Sequence, residues 1–408
     1  MELRALGLTL LTAACLAAPA AARESSHEVP LVRMRDGHRS DLLFRVNPLT
    51  LQQVGRPVRT FRNGSDLRMS PDGSRLAFAD GWHRGSRIHF VNIAAWRSMG
   101  VVRLGRRGWL TVGWVSPHSV VAIAGEGPDR QRLLWVDAKS RKVVARRPFA
   151  GWTVNTVAVP GGLAVALGPR EGVGPLRILL LDPSGGVRTI TLDGIEAGSH
   201  YADRGGRVLT PAVTVDQEGG RMFVVAARGL LVAEVDLASG AVAYHSLGAS
   251  ASKGNVDVWW RHAVWAGDGR IAVTGDHWAP VRGRGAYDGP VPFGVRIIDT
   301  SAWTIATLDP RPDTIHVAGD TVLAVGTRWF DAGRHPKSTG LLAFDDREQR
   351  AFTRFRGRPV VLLGSRGALG YVWVRRTRTA HVIDLRDGRT LHTLRTGRRA
   401  PFLVSPAP

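Results

Sequence analysis

Aromatic residues lie beside histidine or arginine in several short segments of this sequence, and four of these fall in predicted connections between strands. Tryptophan and tyrosine rings stack on sugars and on other aromatic rings, and arginine forms bidentate hydrogen bonds to anionic groups. The candidate ligand-binding residues are therefore Trp82, His83, Arg84, His200, Tyr201, His277, Trp278, Arg328 and Trp329. The alternative interpretation is structural, with tryptophan filling the space between neighbouring elements and arginine covering it. The residue types alone leave both interpretations open.

Four aspartates that lie close to a histidine are the other feature capable of chemistry. The pairs are Asp80 with His83, His200 with Asp203, Asp276 with His277, and Asp331 with His335. Their spacing is not typical of a metal site, and the nucleophile motif G-x-S-x-G is absent. We therefore predict no metal, no cofactor and no catalytic residue. The alternative is a secreted hydrolase or lyase with a histidine-based or metal site at the axial opening of the fold.

The amino terminus has the pattern of a targeting segment. Arg4 precedes an apolar stretch, and the three alanines at 20–22 are typical of a signal-peptidase site. We expect residues 1–22 to be a signal peptide, residues 23–408 to be the mature domain, and the protein to be secreted or extracytoplasmic. Cys15, the only cysteine, offers a lipoprotein alternative, but Thr12 stands where such sites usually have leucine. No other apolar stretch is long enough for a transmembrane segment.

The chain carries a formal net charge of +21, and nearly all of its basic residues are arginine. The arginines are scattered, without a long basic run. This composition is typical of a codon bias, or of attraction to anionic polymers at the cell envelope. Because export separates the chain from nucleic acid, the expected partner is a protein or an anionic or carbohydrate polymer. We expect the chain to be a monomer.

The elements that must position these residues repeat along the chain. Eight apolar runs each end in an aspartate or asparagine that opens a tight turn. These residues are Asn47, Asn92, Asp137, Asp182, Asp236, Asp299, Asp345 and Asp384, separated by 45, 45, 45, 54, 63, 46 and 39 residues. Such side chains cap their own turns, so we interpret them as structural caps and not as catalytic acids. A period of this length carried by strands indicates a β-propeller.

The clearest repeat runs from Asp66 to Leu104 and contains four short predicted strands. A Ser70-Pro71-Asp72-Gly73 turn joins its first two strands. The segment from Ser70 to Phe78 and its counterparts resemble the bacterial YVTN-type and TolB-like propeller repeats. This resemblance covers nearly the whole predicted mature chain. It implies the fold and says little about activity, because such repeats serve binding modules and enzymes alike.

We predict an all-β fold, a single β-propeller of four-stranded antiparallel blades. Seven complete strand sets fit between Asp66 and Leu394. The remaining segments at the two ends supply one more blade, in which the N- and C-terminal strands pair and close the ring. Eight blades are therefore favoured, with seven as the alternative.

The long connections are predicted to lie on one face of the propeller. The turns between the first and second strands and between the third and fourth strands of each blade are short. The other connections hold the insertions, and the longest are the predicted loops at 193–207 and 277–293. Loops on a rigid scaffold commonly carry binding residues. We therefore expect a binding or scaffold module that recognises its partner through this face.

Overall fold

The computed structural model describes residues 29–33, 42–59, 66–80, 85–105, 109–125, 131–202, 205–248, 257–280, 287–328, 337–396 and 402–403. Every helix or strand assigned in these ranges is a β-strand, which confirms the predicted all-β class. The same ranges contain no helix long and apolar enough to cross a membrane.

The strands are short, and most connections between them are tight turns. In chain order they are β1 (Val29–Arg33), β2 (Leu42–Val46), β3 (Gln53–Arg59), β4 (Asp66–Met69), β5 (Arg75–Asp80), β6 (Arg87–Asn92), β7 (Arg97–Arg103), β8 (Trp109–Ser116), β9 (Ser119–Gly125), β10 (Gln131–Asp137), β11 (Lys142–Phe149), β12 (Trp152–Val159), β13 (Gly162–Gly168), β14 (Gly172–Leu181), β15 (Val187–Ala202), β16 (Gly205–Thr210), β17 (Ala212–Asp216), β18 (Arg221–Val225), β19 (Leu231–Asp236), β20 (Val242–Ser246), β21 (Asp257–Trp265), β22 (Arg270–Pro280), β23 (Tyr287–Pro292), β24 (Val295–Asp299), β25 (Thr304–Asp309), β26 (Thr314–Ala318), β27 (Thr321–Arg328), β28 (Lys337–Phe344), β29 (Arg350–Arg354), β30 (Val360–Arg366), β31 (Leu369–Val374), β32 (Thr379–Asp384), β33 (Thr390–Arg395) and β34 (Phe402–Leu403).

Within the described residues these strands form six four-stranded sheets and one ten-stranded sheet. Five of the four-stranded sheets are antiparallel blades of consecutive strands: β4–β7, β8–β11, β17–β20, β26–β29 and β30–β33. The sixth has the order β3-β2-β1-β34. In the ten-stranded sheet, β16 joins the run β12–β15 to the run β21-β22-β24-β25. It pairs antiparallel with β15 and parallel with β21, while β23 pairs with β22.

The core lies between successive sheets, and this explains the apolar runs of the sequence. The second strand of a blade is covered on both faces, so β5 is buried from Leu76 to Asp80. The fourth strand is outermost and has one covered face, so β11 alternates between partly buried and exposed residues. One apolar cluster joins Ile88 of one blade to Val112 of the next. Such packing of sheets around a ring defines the β-propeller.

The two ends of the chain meet in the β3-β2-β1-β34 sheet. β1 pairs antiparallel with β34, with Leu31 opposite Leu403 and Val32 opposite Phe402. Phe44 in this sheet packs in a cluster with Tyr371 of the last blade, and Leu43 packs with Leu76 of the first complete blade. The predicted pairing of the N- and C-terminal strands is therefore present, and it joins the first part of the ring to the last.

The eight periodic aspartates and asparagines are turn caps, as predicted. Each accepts a hydrogen bond on its side-chain oxygen from a backbone N–H two or three residues further on. In the turn at Asp182, for example, the N–H of Ser184 donates at 2.7 Å. All eight turns join the third and fourth strands of a blade or of an equivalent four-stranded run. They lie on one face of the propeller because neighbouring strands run in opposite directions.

We call the opposite face the insertion face; among the described residues it carries 193–202, 205–211, 275–280, 287–294 and 310–313. The two longest predicted loops were expected here, but their description as loops was wrong. The described residues from 193 to 202 extend β15, whose end pairs with β16, and those from 277 to 280 extend β22 and pair with β23. These hairpins account for the lengthened steps of 54 and 63 residues. Their backbone groups gain strand partners that a loop would have left to water.

Candidate functional site

A change of strand partner on β22 creates the most unusual local structure on the insertion face. β22 pairs with β24 as far as Val273, and with β23 from Asp276 onward. Phe293 lies between β23 and β24, and its N–H donates to the carbonyl oxygen of Gly275 at 2.8 Å. Gly275 has φ 151°, and a Cβ there would lie 2.0 Å from the carbonyl oxygen of Trp260. Only glycine permits this close approach of the two backbones.

The register of β21 and β22 sorts the neighbouring side chains onto two faces. Trp259 lies opposite His277, Trp260 opposite Asp276, and Arg261 opposite Gly275. Because side chains alternate along a strand, Trp259, Arg261 and His277 share the face toward β17–β20. On that face Trp259 clusters with Leu209 and Ala227. Trp260 and Asp276 lie on the other face.

Arg261 and Arg296 pack against the same phenylalanine ring. The guanidinium carbon of Arg261 lies 3.7 Å from the centre of the Phe293 ring, and that of Arg296 lies 3.8 Å from it. Arg261 also lies over Trp259, at 5.3 Å. The ring faces attract both cations, but they leave the in-plane N–H groups to find other acceptors.

The charge of Arg261 is costly in this position. Its side chain is 6% exposed, and burial together with the nearby charge of Arg296 lowers its pKa from 12.5 to about 9. That change corresponds to roughly 5 kcal/mol of less favourable charging than in water. The two cation–π contacts, with Phe293 and Trp259, stabilise the charged form by at most on the order of 2 kcal/mol each. Arg261 therefore remains charged at neutral pH, with part of its desolvation not offset.

Few hydrogen bonds compensate this pair of arginines. The Nη1 of Arg261 donates to the carbonyl oxygen of Trp260 at 3.3 Å. In the part of the chain that the structure describes, the Nε atoms of Arg261 and Arg296 are buried and have no acceptor. Burial also lowers the pKa of Arg296. The pair thus keeps two unused Nε donors.

The pKa values of Asp276 and His277, which neighbour the two arginines, are also shifted. Burial, and then repulsion by Asp313, raises the pKa of Asp276 to about 6, although the charge of Arg261 opposes this. Burial and the Arg261 charge lower the pKa of His277, so its ring is neutral at pH 7. The ring stacks on Trp259 with centroids 4.4 Å apart. Among the described residues, Asp276 Oδ1 and His277 Nδ1 have no hydrogen-bond partner.

The structure places the predicted ligand-binding residues as follows. His277 lies in the cluster just described, and it is the only one of the nine whose side chain the structure describes. Trp278 lies in β22, His200 and Tyr201 lie in the extended half of β15, and Arg328 ends β27. Trp82, His83, Arg84 and Trp329 lie outside the described residues. The described side chains therefore neither bring the nine residues together nor place them apart.

Sequence reasoning missed most of the cluster, namely Trp259, Trp260, Arg261, Phe293 and Arg296. One available signal was the run Trp259-Trp260-Arg261-His262, which is unusually aromatic and basic for an innermost strand. Trp260 is 38% exposed there, and Trp152, which begins another innermost strand on the insertion face, is 37% exposed. Phe293 and Arg296 gave no signal, because only the partner change of β22 brings them to Arg261.

The innermost strands also carry histidines, a residue type that commonly acts in catalysis. His262 of β21 lies close enough to His316 of β26 to influence its pKa, and His316 Nε2 lies 2.6 Å from Ser365 Oγ. Burial lowers the pKa of both histidines, so both are neutral at pH 7. Within the described ranges, no three histidine, cysteine or acidic side chains are grouped so that they could hold a metal ion.

Comparison with known proteins supports the fold class only. The sequence matches no protein-family model and no curated protein. The structure is similar to the dihydro-heme d1 dehydrogenase NirN in complex with DHE, with a TM-score of 0.59, 15% identity, and coverage of 92% of this chain and 75% of that chain. It is also similar to AztD from Citrobacter koseri (TM-score 0.51, 12% identity, 93% and 96% coverage) and to BamB from Moraxella catarrhalis (0.50, 13%, 82% and 88%). The chain is thus a β-propeller protein.

Proposed function

We propose that this chain is an exported β-propeller binding or scaffold module that recognises an acidic partner at the cell envelope through its insertion face. The partner is an anionic carbohydrate polymer or a protein with an acidic surface. One observation carries the proposal. The insertion face combines exposed Trp260 with buried Arg261 and partly buried Arg296, two charged groups that form no ion pair within the described residues.

Two further features support this proposal. The net charge of +21 favours the approach of polyanions over long distances. Trp152 and Trp260 expose aromatic surface where innermost strands begin, and such rings suit sugar stacking. Export through a signal peptide at residues 1–22 is part of the same proposal.

We also infer that the ring has eight blades. Five complete blades, the β3-β2-β1-β34 sheet and the two four-stranded runs of the ten-stranded sheet together make eight units. The innermost strands of successive units contact one another, as β4 does with β8 and β17 does with β21. In this arrangement β16 is a bridge across the insertion face and not a blade strand.

The binding proposal predicts retention on acidic polymers. The purified chain is expected to bind dextran sulfate or polygalacturonate and to ignore neutral dextran at the same concentration, measured by affinity electrophoresis. Trp260→Ala is expected to weaken binding by about fivefold or more, because the exposed ring is lost from the contact surface. Tyr244→Ala is the control, since Tyr244 is similarly exposed but lies on the outer strand β20. Equal binding to neutral dextran, or no effect of Trp260→Ala, would contradict the proposal.

A hydrolase or lyase acting on such a polymer is the second candidate, and Asp276 is the observation that favours it. A carboxyl group with a pKa near 6 can hold and release a proton close to neutral pH, as general acid–base catalysis requires. Incubation of the same polymers with the chain and with its Asp276→Asn variant distinguishes the candidates. Depolymerisation by the unmodified chain that is lost in the variant supports the hydrolase or lyase. If the polymer stays intact in both samples, the enzyme hypothesis is contradicted for these substrates.

A further inference from the structure

We propose that Arg261, Phe293 and Arg296 form a subsite for a single oxyanion group: a sulfate, phosphate or carboxylate carried by the acidic partner. This inference deepens the binding function proposed above and rests on it for the nature of the partner. It concerns a position that the sequence did not indicate, between the sheet β17–β20 and the inner strands β21, β22 and β24.

The subsite differs from several other places where arginine is partly buried. Arg311 donates to Asp309 at 2.6 Å, and Arg350 donates to the same buried carboxylate. Arg221 lies 3.0 Å from Asp216. These three arginines are neutralised by carboxylates of the fold itself. Within the described residues no carboxylate forms an ion pair with Arg261 or Arg296, although Arg261 is more than nine-tenths buried.

Among the described residues, no carboxylate accepts a hydrogen bond from Arg261 or Arg296. Asp276 is the nearest carboxylate in the strand register, but its side chain lies on the opposite face of the sheet from Arg261. Phe293 contacts both guanidinium groups, with its ring centre 3.7 and 3.8 Å from their carbons, but an aromatic ring is only a weak acceptor for their N–H groups. An oxyanion at the edge of the phenylalanine ring would accept hydrogen bonds from those N–H groups and offset the positive charge of the pair. His277 Nδ1, also without a partner, lies on the same strand face.

The subsite borders solvent through two of its members. Arg296 and His277 are partly exposed, whereas Arg261 is buried. Exposed Trp260 follows Trp259 on the same strand, on the other face of the sheet. An oxyanion bound here would act as an anchor for the rest of the partner.

Isothermal titration calorimetry of the full chain with small anions tests this subsite. Sodium sulfate, phosphate and acetate are titrated separately at constant ionic strength, so that the preferred oxyanion identifies the group on the partner. At least one is expected to bind the unmodified chain. Arg296→Gln is expected to weaken that binding about fivefold or more, because one of two charge-assisted contacts is lost. Arg347→Gln, an exposed arginine on the opposite face, is expected to bind unchanged.

The outcomes separate the subsite from the proposed function. Unchanged affinity in Arg296→Gln, or no binding of any of the three anions to the unmodified chain, overturns the subsite. Polymer retention that persists in Arg296→Gln leaves the binding function standing and removes the subsite. Small-anion binding without polymer retention supports the subsite and contradicts the proposed binding function. Arg296→Lys gives a second test. It keeps the positive charge but removes the planar donor edge, so it is expected to weaken anion binding less than Arg296→Gln does.

Discussion

Arg261 and Asp276 lie one residue apart in the register of the same strand pair, yet on opposite faces of the sheet. Neither can neutralise the other through a hydrogen bond, so each bears a desolvation cost. The result is an arginine with a pKa of about 9 and an aspartate with a pKa of about 6. Charged groups held in unfavourable surroundings concentrate at functional sites. We therefore expect stability to rise when Asp276 is replaced.

Asp276→Asn is predicted to stabilise the fold at neutral pH. The carboxyl pKa rises from 3.8 in the unfolded chain to about 6 in the fold, so charging it disfavours the folded state. The penalty is small at pH 4, accumulates between the two pKa values, and levels off at about 3 kcal/mol above pH 6. Urea unfolding should show the variant more stable than the unmodified chain at pH 7.5, with little difference at pH 4.

Asp320→Asn serves as the control, because Asp320 lies exposed in the turn between β26 and β27. Its effect on the free energy of unfolding should be small at both pH values. An Asp276→Asn variant that is less stable than the unmodified chain at pH 7.5 would show that the carboxylate is compensated in the fold. The proposed origin of its raised pKa would then be wrong.

At the scale of elements, the site depends on how β22 divides its length between two partners. Its first half completes the sheet with β24, and its second half pairs with β23 on the insertion face. Phe293 enters the space between the arginines because it lies at this division, tied to Gly275 by a backbone hydrogen bond. The partner change, and not any single residue, therefore builds the site.

Gly275→Ala is predicted to disrupt both the fold and the site. The new Cβ would overlap the carbonyl oxygen of Trp260, so β21 and β22 must separate locally. We expect a loss of roughly 2–4 kcal/mol in the free energy of unfolding, measured with urea, and weaker anion binding as Phe293 moves. Gly174→Ala is the matched control, since its Cβ would meet only Pro169 at an ordinary 3.6 Å. Equal effects of the two substitutions would refute this account.

At the scale of the molecule, two short terminal strands join the ring. β34 has two residues and covers the edge of β1, and the sheet they share packs against blades on both sides. An uncovered β1 would expose backbone groups that can pair with another chain. The C-terminal strand therefore covers a strand edge that could otherwise promote association.

Deletion of residues 401–408 is predicted to lower the free energy of unfolding by on the order of 3 kcal/mol and to promote association. Denaturant unfolding and light scattering measure the two effects. Deletion of residues 405–408 leaves β34 in place and should change neither. A monomeric 401–408 deletion with the stability of the full chain would show that β34 contributes nothing to closure.

Much of the fold could be predicted because its signals are local. A side chain such as Asp182 caps a turn with atoms two to four residues away, and the order of turn and strand types recurs along the chain. Local chemistry also indicated where the repeat lengthens, between Asp182 and Asp299. It could not show that these insertions are paired strands, because β16 finds β21 as a parallel partner about fifty residues away.

The sequence alone therefore determined the class of fold, the caps and the face that carries the insertions. Only the tertiary structure decided the site. His277 was named from its residue type, but its partners Trp259, Arg261, Phe293 and Arg296 come from strand register and from one change of partner. Register depends on packing between distant strands, and a shift of one residue would send Arg261 to the other face. No local pattern encodes that choice, which is why the arginine pair became visible only in the folded chain.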